Sequence, residues 1–184
     1  MPKIETEWQR FEALTADGLY EVLRFRQSIF VVEQRSPYPD LDGLDRDAWH
    51  LVARADRELA GYLRLMPTTG PPSLVRIGRV AIAELLRRQG IGRYLMELAL
   101  SFCRERYPPR SIALGAQLHL VPLYERFGFV ASSDPYDDFG VAHVEMILPP
   151  NASRHRPLPR AARARPGGPA MPGARRGRSD GSAP

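Results

Sequence analysis

The chain changes its hydrophobic period several times, and each change marks an element. Residues 6–11 have strand character. Thr15 is then suited to cap a helix whose apolar positions, Leu19, Val22, Leu23 and Phe30, recur at helical spacing as far as Glu33. Residues 35–47 turn to loop chemistry, with Pro37, Pro39, Gly43 and four aspartates, Asp40, Asp42, Asp45 and Asp47. Three strands follow at residues 50–55, 59–66 and 74–82, separated by the charged turn Asp56, Arg57, Glu58 and by a Thr/Gly/Pro stretch. They read as an antiparallel meander.

The third of these strands breaks its own alternation. Val75 and Ile77 are odd-numbered, whereas Val80 and Ile82 are even, and a strict period of two cannot put both pairs on one face. Either one extra residue near Gly78 and Arg79 forms a β-bulge, or the strand is buried on both sides.

From Gly90 the period becomes helical. Ile91, Leu95, Leu98, Ala99 and Phe102 make one stripe, which Pro108 and Pro109 end, and Cys103 borders it as a packing residue. A short strand (111–114), a short helix (about 119–127) and two strands (129–132 and 141–148) complete the order. A sheet, a helix, a strand, a helix and further strands give an α+β, or mixed α/β, fold around one central sheet.

The length of 184 residues suits one domain. No run approaches the ~18 to 20 apolar residues of a membrane span, and the N-terminus lacks a signal-peptide core, so the expectation is a soluble, cytoplasmic protein with no membrane partner. A single cysteine excludes an internal disulfide, and His50, His119, His143 and His155 are too scattered for a zinc motif, so no metal is expected.

The net charge of +5 raises the question of a nucleic-acid partner. Residues 151–184 hold eight arginines against one acid, Asp180, a net of +7, so the body carries about −2. That segment also has six prolines and five glycines and almost no large apolar residue, a composition that cannot repay the entropy of ordering. The expected division is a folded domain at 1–149 and a disordered Arg/Pro/Gly-rich tail at 150–184. We read the tail as a solvated extension in preference to an electrostatic tether for nucleic acid or a membrane surface.

Arg87, Arg88, Gln89, Gly90, Ile91, Gly92 and Arg93 lie where a strand has ended and an amphipathic helix begins. A helix start offers unpaired N–H groups and partial positive charge, glycines let an anion come close, and three arginines surround it. The turn lacks the Gly-Lys-Ser/Thr of a Walker loop and the third glycine of a dinucleotide fingerprint, which argues against a nucleotide triphosphatase or a dehydrogenase. On its own it reads equally as a phosphate site or as a plain helix start.

The same turn resembles the signature Gln/Arg-x-x-Gly-x-Gly/Ala of the GNAT acetyltransferases, matched by Arg87, Gly90 and Gly92. Downstream, Leu123, Tyr124, Glu125, Gly128 and Phe129 resemble the family's Leu-Tyr-Glu-x-x-Gly-Phe motif, in the expected order and separation. Phe30 to Gln34, Pro37-Tyr38, Asp40 to Gly43 and Gly115-Ala116-Gln117 with His119 are similar to the ElaA-type branch, over residues 8–148.

The resemblance implies a GNAT acyl-CoA N-acyltransferase fold, a mostly antiparallel sheet flanked by helices, whose bulged fourth strand parts from the fifth to admit pantetheine. It implies acetyl-CoA as co-substrate and an amine as acceptor. Val80, Ala81 and Ile82 would meet the pantetheine, and Arg87 to Arg93 the pyrophosphate. Many members have asparagine where this chain has Gln117, which is carried over only as a cofactor contact.

Amine attack on a thioester builds negative charge on oxygen, expels a thiolate and leaves a proton on nitrogen. By motif position Tyr124 is the acid for sulfur and a cofactor contact, the alternative being that it only packs on the cofactor. Glu33 is the first candidate to take the amine's proton, against a plain surface carboxylate at a helix end, and His119 the second, against a helix-start residue with a satisfied hydrogen bond. The aspartates of residues 40–47 either attract a cationic acceptor or form a solvated turn. An acyl-homoserine-lactone-type synthase and a noncatalytic acyl-CoA-binding module with a basic tail are the alternatives. The acceptor's identity and the choice between monomer and homodimer are not encoded in these motifs.

Overall fold

The computed structural model describes residues 3–37 and 39–150; the expected tail lies, from residue 151 on, outside the described residues. Its elements are β1 (Ile4–Arg10), α1 (Ala16–Gln27), β2 (Trp49–Ala55), β3 (Glu58–Pro67), β4 (Leu74–Ile82), α2 (Ile91–Arg106), β5 (Ser111–Gln117), α3 (Val121–Glu125), β6 (Val130–Ala131), β7 (Tyr136–Asp138) and β8 (Val141–Leu148). The strands form one sheet in the order β1-β2-β3-β4-β5-β8-β6, with β7 also paired to β8. Every pairing is antiparallel except β4 with β5.

One face of the sheet carries the main core. Leu51, Leu63, Leu65, Val75, Ile77, Leu114 and Met146 pack beneath Leu95, Met96, Ala99 and Cys103 of α2, with Tyr124 and Phe129 filling the α3 end. Cys103 is 2% exposed, the packing position its place beside the stripe suggests. The other face is covered in part by α1, whose Val22 and Phe25 meet Val52 and Tyr62.

The break of alternation in β4 is a bulge. Tyr62 pairs with Ala81 and Arg64 with Gly78, so Arg79 and Val80 together face Leu63 alone. Arg79 takes φ +54°, a left-handed conformation uncommon outside glycine. In consequence Val75, Ile77, Val80 and Ile82 all lie against the main core, while Ala81 turns to the opposite face.

Several boundaries depart from the sequence reading. Thr15 does cap α1, accepting a hydrogen bond from the Gly18 N–H at 3.1 Å, but the α-helix stops at Gln27. A π-helical turn, Ser28–Glu33, carries the chain on, because Ile29, Val31 and Val32 are β-branched and hold a regular helix poorly. The expected helix at 119–127 divides into a 3-10 turn, Leu118–Leu120, and the short α3. β6 keeps two residues of the expected four, and β7 was not expected.

Candidate active site

β4 and β5 run side by side only through Leu74/Ser111, Val75/Ile112 and Arg76/Ala113. Beyond Arg76 the edge of β4 toward β5 has no strand partner among the described residues, and the two strands leave a slot that is closed at Arg76 and open toward their C-terminal ends. Unpaired main-chain groups on such an edge are donors and acceptors for an extended ligand. Val80 and Ile82 are half-buried on the α2 side of this edge, and Ala81 is buried.

The open end of the slot leads to the turn before α2. Gly90, at φ +83°, is the N-cap, and no side chain caps the helix, which leaves its first N–H groups for a ligand. Ile91 is buried and anchors the helix start, while a Cβ on Gly92 would meet only ordinary contact with Ile82 at 3.6 Å. Gln89 Nε2 donates to the Leu85 carbonyl at 2.9 Å. Arg88, at φ +61°, is exposed, and Arg93 pairs with Glu97 one turn on at 2.9 Å, well out in solvent.

Arg87 is the exception among these arginines. Its Nη1 and Nη2 reach Glu33 at 2.7 and 2.6 Å, and its Nε donates to the Ile82 carbonyl at 3.1 Å. The structure therefore joins two expected site residues, one assigned to the cofactor and one to the amine. Hydrogen bonds from Arg87 hold the Glu33 carboxyl below its ordinary range, which makes it a weaker base while the pair persists.

Across the slot, Gln117 is half-buried at the end of β5 and His119 is exposed on the 3-10 turn. Tyr124 is 6% exposed, with its ring edge on Phe129, and burial pushes its phenol up to about 12. Its proton is thus in place at neutral pH. Among the described residues no hydrogen bond or ion pair links Tyr124, His119 and Glu33.

The acidic loop is a solvated turn only in part, at the exposed Asp47. Asp40, Asp42 and Asp45 meet three arginines in one network over the face of the sheet away from α2. Arg26 binds Asp40 at 3.0 Å and Asp45 at 2.7 Å, Arg64 binds Asp42 at 2.6 Å and Asp45 at 2.9 Å, and Arg79 binds Asp40 at 2.7 Å and Asp42 at 3.1 Å. Three acids and three bases cancel. Burial alone would raise the Asp42 carboxyl, but hydrogen bonds from Arg64 and the Leu44 N–H, with the charges of Arg64 and Arg79, bring it down to about 2.

His50 and Tyr62 close the inner edge of this network, with His50 Nδ1 at 2.7 Å from the Tyr62 hydroxyl and Nε2 at 2.9 Å from the Asp45 carbonyl. Burial lowers the His50 pKa. Because Arg79 is the bulged residue, the network also fixes the conformation that bends β4 away from β5. Arg26 and Arg64 were missed in the sequence, and Arg79 was noted there only as the place of a bulge. Arg26 follows Val22 by four residues on the inward face of α1, and a charge on an apolar stripe is the signal that could have found it.

No helix among the described residues is long and apolar enough to cross a membrane, and no group of three or more His, Cys, Asp or Glu among them could hold a metal.

Comparison with known proteins agrees with this geometry. Residues 19–149 match the acetyltransferase (GNAT) domain family. The protein ElaA of Escherichia coli is 37% identical over 144 residues, covering 76% of this chain and 94% of that protein. The crystal structure of E. coli ElaA superposes with a TM-score of 0.75 at 35% identity, covering 79% of this chain and 99% of that one. An acyl-CoA N-acyltransferase of Pseudomonas aeruginosa does so with a TM-score of 0.75 at 37% identity, over the same shares. A CoA-dependent acyl-homoserine lactone synthase shares the fold alone, with a TM-score of 0.69 at 20% identity, covering 82% of this chain and 85% of that one. A split fourth and fifth strand, a bulge at Arg79 and an uncapped helix start after Arg87 are thus set in a chain that belongs to the GNAT family of acyltransferases, in its ElaA-like branch.

Proposed function

We propose that this acyltransferase moves an acetyl group from acetyl-CoA to the amine of a small molecule or protein, in the cytoplasm, where acyl-CoA is supplied. The observation that carries the reading is the parting of β4 from β5 beyond Arg76, which leaves one edge of a buried sheet unpaired beside an uncapped helix start. The acyl-CoA would bring an activated acyl carbon and a thiolate leaving group.

The chain's own residues would do the rest. The main chain of Val80, Ala81 and Ile82 binds the pantetheine amides, and Gln117 adds a contact from β5. Arg87, Arg88, Gln89, Gly90, Ile91, Gly92 and Arg93 hold the pyrophosphate through N–H groups and charge. Tyr124 gives its hydroxyl proton to the sulfur as the C–S bond breaks and the C–N bond forms. The proton lost by the nitrogen goes to Glu33, which regains basicity when Arg87 turns toward a phosphate, or to His119, which solvent can reach.

Acetyl-CoA added to the full chain is expected to raise its melting temperature, since a ligand at 100 times its Kd stabilises by ~2.7 kcal/mol. Tyr124→Phe should keep that shift while its amine-dependent thiol release falls ~10²-fold or more. No shift with any acyl-CoA would end the reading, and full turnover by Tyr124→Phe would remove the tyrosine's role.

A further inference from the structure

Gly115 is the exposed point of an otherwise covered strand. β5 lies between β4 and β8, and its Ile112, Ala113, Leu114 and Ala116 are all buried, yet Gly115 stands open. It faces away from α2, since Leu114 and Ala116 belong to the core beneath that helix. The face toward α2 is filled with side chains, so the side of Gly115 is the one from which an acceptor can approach the closed end of the slot.

Polar groups rim that opening. Glu145 is the direct partner of Gly115 on β8. Its carboxylate reaches over the glycine to Arg76, whose Nη2 lies 2.9 Å from Oε1 and 2.8 Å from Oε2. Tyr136 of β7 donates its hydroxyl to Glu145 Oε1 at 3.0 Å. A Cβ on residue 115 would stand 3.2 Å from the Tyr136 hydroxyl and 3.4 Å from Glu145 Oε1, so the missing side chain keeps this space open.

Arg76 is also the last residue of β4 paired with β5. The rim therefore sits at the closed end of the slot, toward which a ligand with its phosphates at residues 87–93 points its far end.

We propose that the opening over Gly115 holds the acceptor's amino group, with Glu145 accepting its N–H bonds and Arg76 and Tyr136 fixing that carboxylate. The inference rests on the acyl transfer proposed above and names the residues that receive that reaction's acceptor. A carboxylate offers about four lone-pair directions. Arg76 and Tyr136 engage three of them, and the one left on Oε2 is free to accept from a further donor. The Glu145 and Tyr136 positions are each about one-third exposed, within reach of a small ligand. Ser36 Oγ, donating to the Phe139 carbonyl at 3.0 Å, joins the loop after α1 to the turn between β7 and β8.

The test is titration of the full chain with n-butylammonium, the amine end of a lysine side chain, with and without saturating CoA, followed by the amide NMR signals of Gly115 and Tyr136. A saturable shift is expected in the wild type. It should weaken at least tenfold in Glu145→Gln and in Gly115→Ala, which fills the opening without removing a charge, while both variants keep CoA affinity within about twofold. No saturable shift in the wild type, a shift that Glu145→Gln retains, or an equal response to n-butyrate overturns the assignment. Failure of the wild type to bind CoA would instead strike the acyl-transfer reading, which separates the two.

Discussion

Asp40, Asp42 and Asp45 in the loop after α1 face three arginines, whereas Glu145 on β8 faces one arginine and one phenol. Both groups lie on the side of the sheet away from α2, and both touch β4, the first through Arg79 at the bulge and the second through Arg76 at the closed end of the slot. Their difference is burial. The Arg26 side chain is fully buried and that of Arg64 nearly so, while those of Arg76 and Glu145 are 38% and 31% exposed. A buried ion pair cannot give up a partner without leaving a bare charge, so the first group is committed to shape. A part-exposed pair can lend a lone pair to a visitor at little cost.

The largest effect should come from Asp45, which Arg26 and Arg64 share. Asp45→Ala leaves two buried guanidinium groups short of a partner and should cost ~3–5 kcal/mol in denaturant unfolding. A loss below ~1 kcal/mol would mean that the network relaxes into water, and the contrast with Glu145 would collapse.

Acid should act on the first group next. The folded Asp42 pKa lies below its unfolded value, so its stabilising contribution is complete above the unfolded pKa and disappears as pH falls through the folded one. With 3.8 falling to about 2, the window runs from pH ~4 down to ~2, and because Asp42 is exposed and screened by solvent the loss is ~1 kcal/mol. Unfolding midpoints taken across that window should drop in the wild type and stay flatter in Asp42→Asn. Equal slopes would show that Asp42 is not held by its arginines.

The smallest change in stability should follow from the second group. Glu145→Ala removes a part-exposed pair and should cost no more than ~1 kcal/mol. A cost as large as that of Asp45→Ala would make Glu145 a structural strut and erase the distinction.

The sequence made some of this legible and hid the rest for identifiable reasons. The parity switch between Val75/Ile77 and Val80/Ile82 allowed a bulge, because alternation is a local property that survives in one dimension. The α2 stripe and the Gly90 turn were legible on the same grounds. The arginine network joins residues 14 to 39 positions apart, so the aspartates looked like solvent-facing turn residues until their partners were found. β7 has three residues with neither face buried, and no periodicity marks such a strand. Glu145 looks like any outward residue between the buried Val144 and Met146, and only the glycine across the ladder gives it meaning. The contact between Glu33 and Arg87, 54 residues apart, was likewise beyond reach, although both were singled out for other roles.

Cys103 has a practical value in the laboratory. It is the sole cysteine of the chain, it is 2% exposed, and burial pushes its thiol up to about 12. A colorimetric disulfide reagent attacks thiolates, so the folded protein should stay silent toward it and any colour during turnover should belong to released CoA. In strong denaturant the same reagent should titrate one thiol per chain, giving a built-in measure of how much protein has unfolded.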